Sequence, residues 1–168
     1  MKKTLALAVT AAFLATPAFA ADVKIGVLLG FTGPIESLTP DMASGAELAM
    51  KEASESGAFM GGSKIISVRG DATCVDAAAA TATAERLMTA DGVSAIMGAD
   101  CSGGTTAVLQ NVALAKGVVM ISPSATSPAL STVEDNGLFF RTSPSDARQG
   151  QVLAEILKEK GVKSAAIS

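Results

Sequence analysis

Hydroxyl side chains crowd two short stretches of this chain, Asp100-Cys101-Ser102-Gly103-Gly104-Thr105-Thr106 and Ser122-Pro123-Ser124-Ala125-Thr126-Ser127-Pro128. Each follows directly on a short apolar run that reads as a β-strand. Ser and Thr hydroxyls, with backbone N–H groups at a helix start, suit a small carboxylate, because a helix N-terminus carries unpaired donors and partial positive charge. Two such loops can hold the head of a small zwitterion. The chemistry they point to is capture of a ligand before any conversion of it.

The remaining composition excludes several other classes. The chain contains no His, which removes the Ser-His-Asp and Cys-His routes to an activated nucleophile and the commonest metal ligand. No Gly-x-Ser-x-Gly elbow and no Lys base in these loops support Ser102 or Thr105 as a nucleophile. Gly26, Gly30 and Gly33 do not form the Gly-x-Gly-x-x-Gly spacing of a dinucleotide site. No cofactor is expected. The net charge is −3, a poor match to nucleic acid or an anionic membrane, both of which reward clustered Lys and Arg.

The first twenty residues read as an export signal. Lys2 and Lys3 form a basic start, Leu5 to Leu14 is apolar or small apart from Thr10, and Ala18-Phe19-Ala20 is a small-x-small cleavage pattern. Cleavage is expected after Ala20, with the mature chain in the periplasm. The apolar run is too short to span about 30 Å of hydrocarbon, and no Cys follows it to carry a lipid. In an exported protein the two cysteines, Cys74 and Cys101, read by default as a disulfide. A redox or zinc role is disfavoured, because the spacing is not Cys-x-x-Cys and nothing completes a metal site.

The elements that must position these loops alternate in type. Strands are expected at Val23 to Leu29, Ile65 to Val68, Ser94 to Met97, Val118 to Ile121 and Leu138 to Arg141, with a further strand starting at Ser164 to Ile167. Helices are expected at Asp41 to Glu55, Ala77 to Met88 with Asp76 as cap, Thr105 to Ala115, and Asp146 to Lys160. Strands alternating with such helices imply an α/β fold, doubly wound, with a mostly parallel sheet and helices on both faces. Ligands then sit beyond the carboxyl ends of the strands. The segments 30–39, 71–75, 98–105 and 122–127 all fall on that rim, and a Cys74–Cys101 bond would pin the loop carrying Ser102.

Four rim motifs, in order, carry a family resemblance: Thr32-Gly33-Pro34-Ile35, Asp71-Ala72-Thr73-Cys74, Gly98-x-x-Cys101-Ser102 and Met120-Ile121-Ser122-Pro123-Ser124-Ala125-Thr126. With Phe140-Arg141-Thr142 and Asp146-Ala147-Arg148-Gln149-Gly150, the chain resembles the periplasmic leucine/isoleucine/valine-binding proteins, type I solute-binding proteins of ATP-driven amino-acid importers. The resemblance implies two α/β lobes closing on a ligand, and a permease and ATPase complex as partners. It implies that Ser102 gives hydroxyl and N–H to the ligand carboxylate, that Thr126 helps hold carboxylate and ammonium, and that the Ser124 carbonyl faces the ammonium beside Ala125. It also implies the Cys74–Cys101 disulfide and an acidic residue from the second lobe. The alternative class is a ligand-sensing receptor ectodomain of the same fold.

Two positions depart from the family pattern. Leu38 falls where an aromatic side chain is usual, and Asp100 falls where an apolar residue lines the side-chain pocket. A carboxylate facing a leucine side chain would be unpaired, so a polar or cationic amino acid, or a related small organic compound, is the expectation if Asp100 meets the ligand. A solvated loop acid or a helix cap is the other expectation. Family members are about twice as long, so the chain reads as residues 1–20 signal, 21–162 a partial first lobe, and 163–168 the start of a second. Such a half-cleft is expected to bind weakly and to expose apolar surface.

Overall fold

Strand β1 (Val23–Leu29) ends in Val27, Leu28 and Leu29, all completely buried. An interior strand of a parallel sheet is covered on both faces and so needs no polar alternation. The computed structural model describes residues 21–166; the expected signal peptide and Ile167 lie outside the described residues. Around β1 lie β2 (Ile65–Asp71), β3 (Ala95–Gly98), β4 (Val119–Ser122) and β5 (Phe139–Arg141). The order is β2-β1-β3-β4-β5, with every pairing parallel.

Helices cover both faces, as expected. On one side α1 (Thr39–Glu55) packs Ala43 against Val27 and Leu29, with Met42, Met50 and Met97 around them. On the other side lie α2 (Ala77–Thr89) and α3 (Ser102–Val108), the latter running through a π-helical turn, Leu109–Ala113, into α4 (Leu114–Lys116). Their Leu87, Val108, Leu109 and Val112 meet Leu28, Ile96 and Met120 in the main core. This is the doubly wound arrangement, and its order of connection reverses between β1 and β3.

Boundaries move for local reasons. Helix α1 begins at Thr39 rather than Asp41, because Pro40 sits in the first turn, where its missing N–H costs nothing. Strand β2 runs on to Asp71, in register with Leu29 of β1. Gly70 permits this: a Cβ there would lie 2.7 Å from Thr83 Cγ2 and 2.9 Å from Leu87 Cδ1. Helix α3 starts at Ser102, three residues before the expected Thr105, despite the low helix propensity of Gly103 and Gly104. Gly104 is buried against α2, where an added Cβ would already be 3.5 Å from that of Ala80.

The last segment differs most from expectation. Helix α5 (Asp146–Glu159) has no buried residue, and Ser164–Ala166 form no strand, because no partner strand lies beside them among the described residues to complete a ladder. On the α1 side of the sheet, Ile25, Ala95, Met97, Val119 and Ile121 line an apolar groove of about 260 Å³. Phe140 nearby is 54% exposed, so apolar surface is open, as expected.

Candidate ligand-binding site

The loops that follow β1, β3 and β4 meet at the carboxyl end of the sheet because a hydrogen-bond network joins them. Gly30 N–H donates to Asp100 Oδ2 at 2.7 Å, and Cys101 N–H donates to Oδ1 at 2.9 Å. The Thr39 hydroxyl donates to the Gly30 carbonyl at 3.0 Å, tying the start of α1 to the same turn. Beneath them the Ala99 carbonyl accepts from both Thr105 Oγ1, at 2.9 Å, and Ser122 Oγ, at 2.5 Å. Thr105 and Ser122 are fully buried. Their hydroxyls hold β3 to α3 and β4 and are not presented to a ligand.

The second exit loop is fastened twice. Asp71 accepts from the Thr32 hydroxyl at 2.6 Å and from Thr73 N–H at 2.9 Å. Partial burial pushes its carboxyl up, but the Thr32 hydroxyl and the N–H groups of Thr73, Thr32 and Phe31 outweigh this and hold it below the ordinary value. Cys74 is then bonded to Cys101, with Cα atoms 5.2 Å apart. The expected disulfide is present, and it joins the exit loops of β2 and β3.

Four of the six expected ligand residues present groups near one another. Ser102 opens α3, and its Oγ accepts Ser127 N–H at 3.1 Å, so the two hydroxyl-rich loops touch there. Ser124 Oγ donates to the Asp100 carbonyl at 3.0 Å. Ala125 is fully buried, its N–H on Ser122 Oγ at 3.0 Å. Thr126 Oγ1 donates to Asp146 Oδ2 at 2.9 Å.

The other two expected residues differ. Leu38 is 56% exposed on the β1 loop and bonds only within it, its N–H on the Ile35 carbonyl at 2.9 Å. Asp100 is 2% exposed. Both its carboxylate oxygens are occupied by backbone donors, so it is neither a solvated loop acid nor a charge offered to the cleft.

Arg141 and Asp146 were legible only as parts of a motif, yet they hold the second loop. Arg141 Nη1 donates to the carbonyls of Ser127 at 2.9 Å and Ala125 at 3.2 Å, and Nη2 donates to Ser131 Oγ at 2.5 Å. A planar guanidinium is suited to several fixed acceptors at once. The signal was a lone cation in an apolar strand, Phe139-Phe140-Arg141. At the far edge of the sheet, Arg69 makes a bidentate pair with Glu47, both bonds 2.7 Å. That hydrogen bonding outweighs burial in holding the Glu47 carboxyl below its usual value.

Parallel α/β architecture, with hydroxyl-bearing loops converging where the strand order reverses, defines a small-ligand binding lobe. The sequence model of the periplasmic binding protein family matches residues 22–168. The chain belongs to that family.

It is 32% identical over 158 residues to the Leu/Ile/Val/Thr-binding protein of Salmonella typhimurium, across 94% of this chain and 42% of that protein. The branched-chain amino acid transporter substrate binding protein LivJ from Streptococcus pneumoniae, solved in complex with isoleucine, superposes with a TM-score of 0.73. It shares 32% identity, over 83% of this chain and 38% of that one. An ABC transporter substrate-binding protein from Desulfitobacterium hafniense in complex with Leu gives a TM-score of 0.67 at 32% identity, over 83% and 39%. The chain therefore spans about two fifths of the length of these relatives.

Proposed function

We propose that this chain supplies the first lobe of a periplasmic solute-binding protein. It captures an amino acid by carboxylate and ammonium, and passes it to a permease and ATPase complex in the inner membrane. The observation that carries this reading is the bond from Ser127 N–H to Ser102 Oγ. Because that bond occupies a lone pair, the single hydroxyl proton of Ser102 stays available to donate outward. Among the described residues no acceptor takes it.

Ser102 and the following N–H groups of the helical run 102–116 then offer a carboxylate several donors without a buried protein cation. The Thr126 N–H and the Ser124 carbonyl lie in the adjoining loop. With Asp100 engaged inward and Leu38 open on the facing loop, the side-chain end of the site favours an apolar amino acid of the branched-chain type over a cationic one. The relatives solved with isoleucine and leucine support this preference.

As to domain order, we take residues 1–20 as a signal cleaved after Ala20. The lack of any buried residue in α5 favours placing the junction between lobes near Ser145 rather than after residue 162.

The test is a thermal-shift screen of the full-length protein against the standard amino acids and small carboxylates. A ligand that binds only the folded state raises the melting temperature by mass action. Shifts with leucine, isoleucine or valine above all others are expected. Preference for lysine or arginine would reject the apolar assignment, and silence across the panel would reject amino-acid capture.

A further inference from the structure

Thr126 and Asp146 bond to each other twice. The Thr126 hydroxyl donates to Asp146 Oδ2 at 2.9 Å, and Asp146 N–H donates to the Thr126 carbonyl at 3.0 Å. The backbone bond fixes the separation of the site loop and the first turn of α5, and Asp146 itself is exposed. A carboxylate has only lone pairs, so the hydroxyl proton in this pair must come from Thr126. A threonine hydroxyl has one proton, and once it is placed on Asp146 the oxygen can offer a ligand nothing but lone pairs.

We infer that Asp146 is a positioning residue that sets the polarity of the site: it turns the Thr126 hydroxyl into an acceptor, and so selects ligands that carry an ammonium group beside their carboxylate. This rests on the amino-acid reading above and deepens it. A ligand without the ammonium, such as the same carbon skeleton deaminated, would leave the Thr126 oxygen facing an apolar CH₂ in a desolvated cleft. Unmatched polar groups discriminate more strongly than missing contacts do. Donors for the carboxylate are untouched by the arrangement, since Ser102 and the backbone N–H groups supply them.

The experiment measures, in the full-length protein, the affinity for leucine against 4-methylpentanoate, and for phenylalanine against 3-phenylpropanoate should the pocket be wider. In D146A the Thr126 proton is released and can rotate inward. The preference for the amino acid over its deaminated partner is expected to fall about tenfold, the size of one hydrogen bond to a charged group. D146N retains an acceptor oxygen and is expected to stay within about twofold of the wild type. On a T126V background, D146A should change nothing further.

A uniform loss for both ligands in D146A would mean a merely structural role and overturn the inference. So would an unchanged ratio, or a D146N variant as impaired as D146A, which would mean that the charge acts directly. A wild type that prefers the deaminated acid overturns the inference while leaving a carboxylate-binding protein. A wild type that binds none of the four probes overturns the amino-acid reading together with it.

Discussion

Gly30 and Asp100 lie 70 residues apart in sequence and 2.7 Å apart in space, N–H to carboxylate. The bond joins the exit loops of β1 and β3 at the reversal point of the sheet. Because the other oxygen accepts from Cys101 N–H, both faces of the carboxylate meet donors. Asp100→Asn would force an amide NH₂ against one of these N–H groups. Leaving a buried donor unpaired costs about 1–3 kcal/mol, and the variant should lose that much in urea unfolding. Its order of ligand preference should not change, because the side chain is buried with both oxygens on backbone N–H groups. A reordering in favour of apolar ligands would restore Asp100 to the pocket.

The Cys74–Cys101 bond closes a loop with a sequence separation of 27. Chain entropy puts the stabilisation at roughly 3–4 kcal/mol. Since Cys101 directly precedes Ser102, reduction frees the loop proposed to offer the carboxylate donors, and that loop must then be ordered on binding. Adding dithiothreitol to the full-length protein should lower both the urea midpoint and the ligand affinity, and C74S/C101S should reproduce both effects. Lost stability with unchanged affinity would separate the disulfide from the site.

Much of this architecture was legible because it rests on period and punctuation. The buried run at β1, the Asp76 cap, whose carboxylate accepts from the N–H groups of Ala78 and Ala79, and the loops ending each strand are local signals. The start of α3 was not, since Gly103 and Gly104 oppose a helix locally. They are accepted because α3 packs on α2, with Gly104 buried beside Ala80, and because Thr105 N–H closes the turn on the Cys101 carbonyl at 2.9 Å. These are tertiary reasons, invisible in a window of sequence.

The candidate site residues divide in the same way. Ser102, Ser124 and Thr126 could be singled out from hydroxyl type and loop position. The direction of Asp100 could not, because it depends on Gly30, a partner 70 residues distant. The Thr126 hydroxyl likewise takes its orientation from Asp146. In each case the side-chain chemistry was readable and the partner that decides its use was not.

Glycine positions give a paired test. Gly98 has φ +134°, and a Cβ built there would lie 2.0 Å from the Leu28 carbonyl oxygen of the neighbouring strand. Gly98→Ala must therefore part β1 from β3 or unseat the loop that follows, and should cost at least ~3 kcal/mol. Gly45 is on the exposed face of α1 with nothing within 4 Å of an added Cβ. Gly45→Ala should be stabilising by about 0.5–1 kcal/mol through helix propensity. Equal effects of the two in thermal melts would contradict the close contact at Gly98.

Acid should loosen the rim through Asp71. Its carboxyl is held below the ordinary value of 3.8 in the folded chain, so the unfolded chain takes up a proton at higher pH than the folded one. The sign follows from linkage: this contribution to stability is fully present above 3.8 and is lost as pH falls below it, through the lower folded-state value. Glu47 shifts in the same direction through Arg69, so the wild-type curve sums both. Asp71→Asn removes one carboxylate and leaves the other. Urea unfolding of both proteins between neutral pH and the acid limb should give a wild-type curve that falls more steeply on acidification. Their difference should shrink toward low pH, as protonated Asp71 comes to resemble the amide. A constant offset at all pH values would mean that the Thr32 and Thr73 bonds depend on shape alone and not on the charge of Asp71.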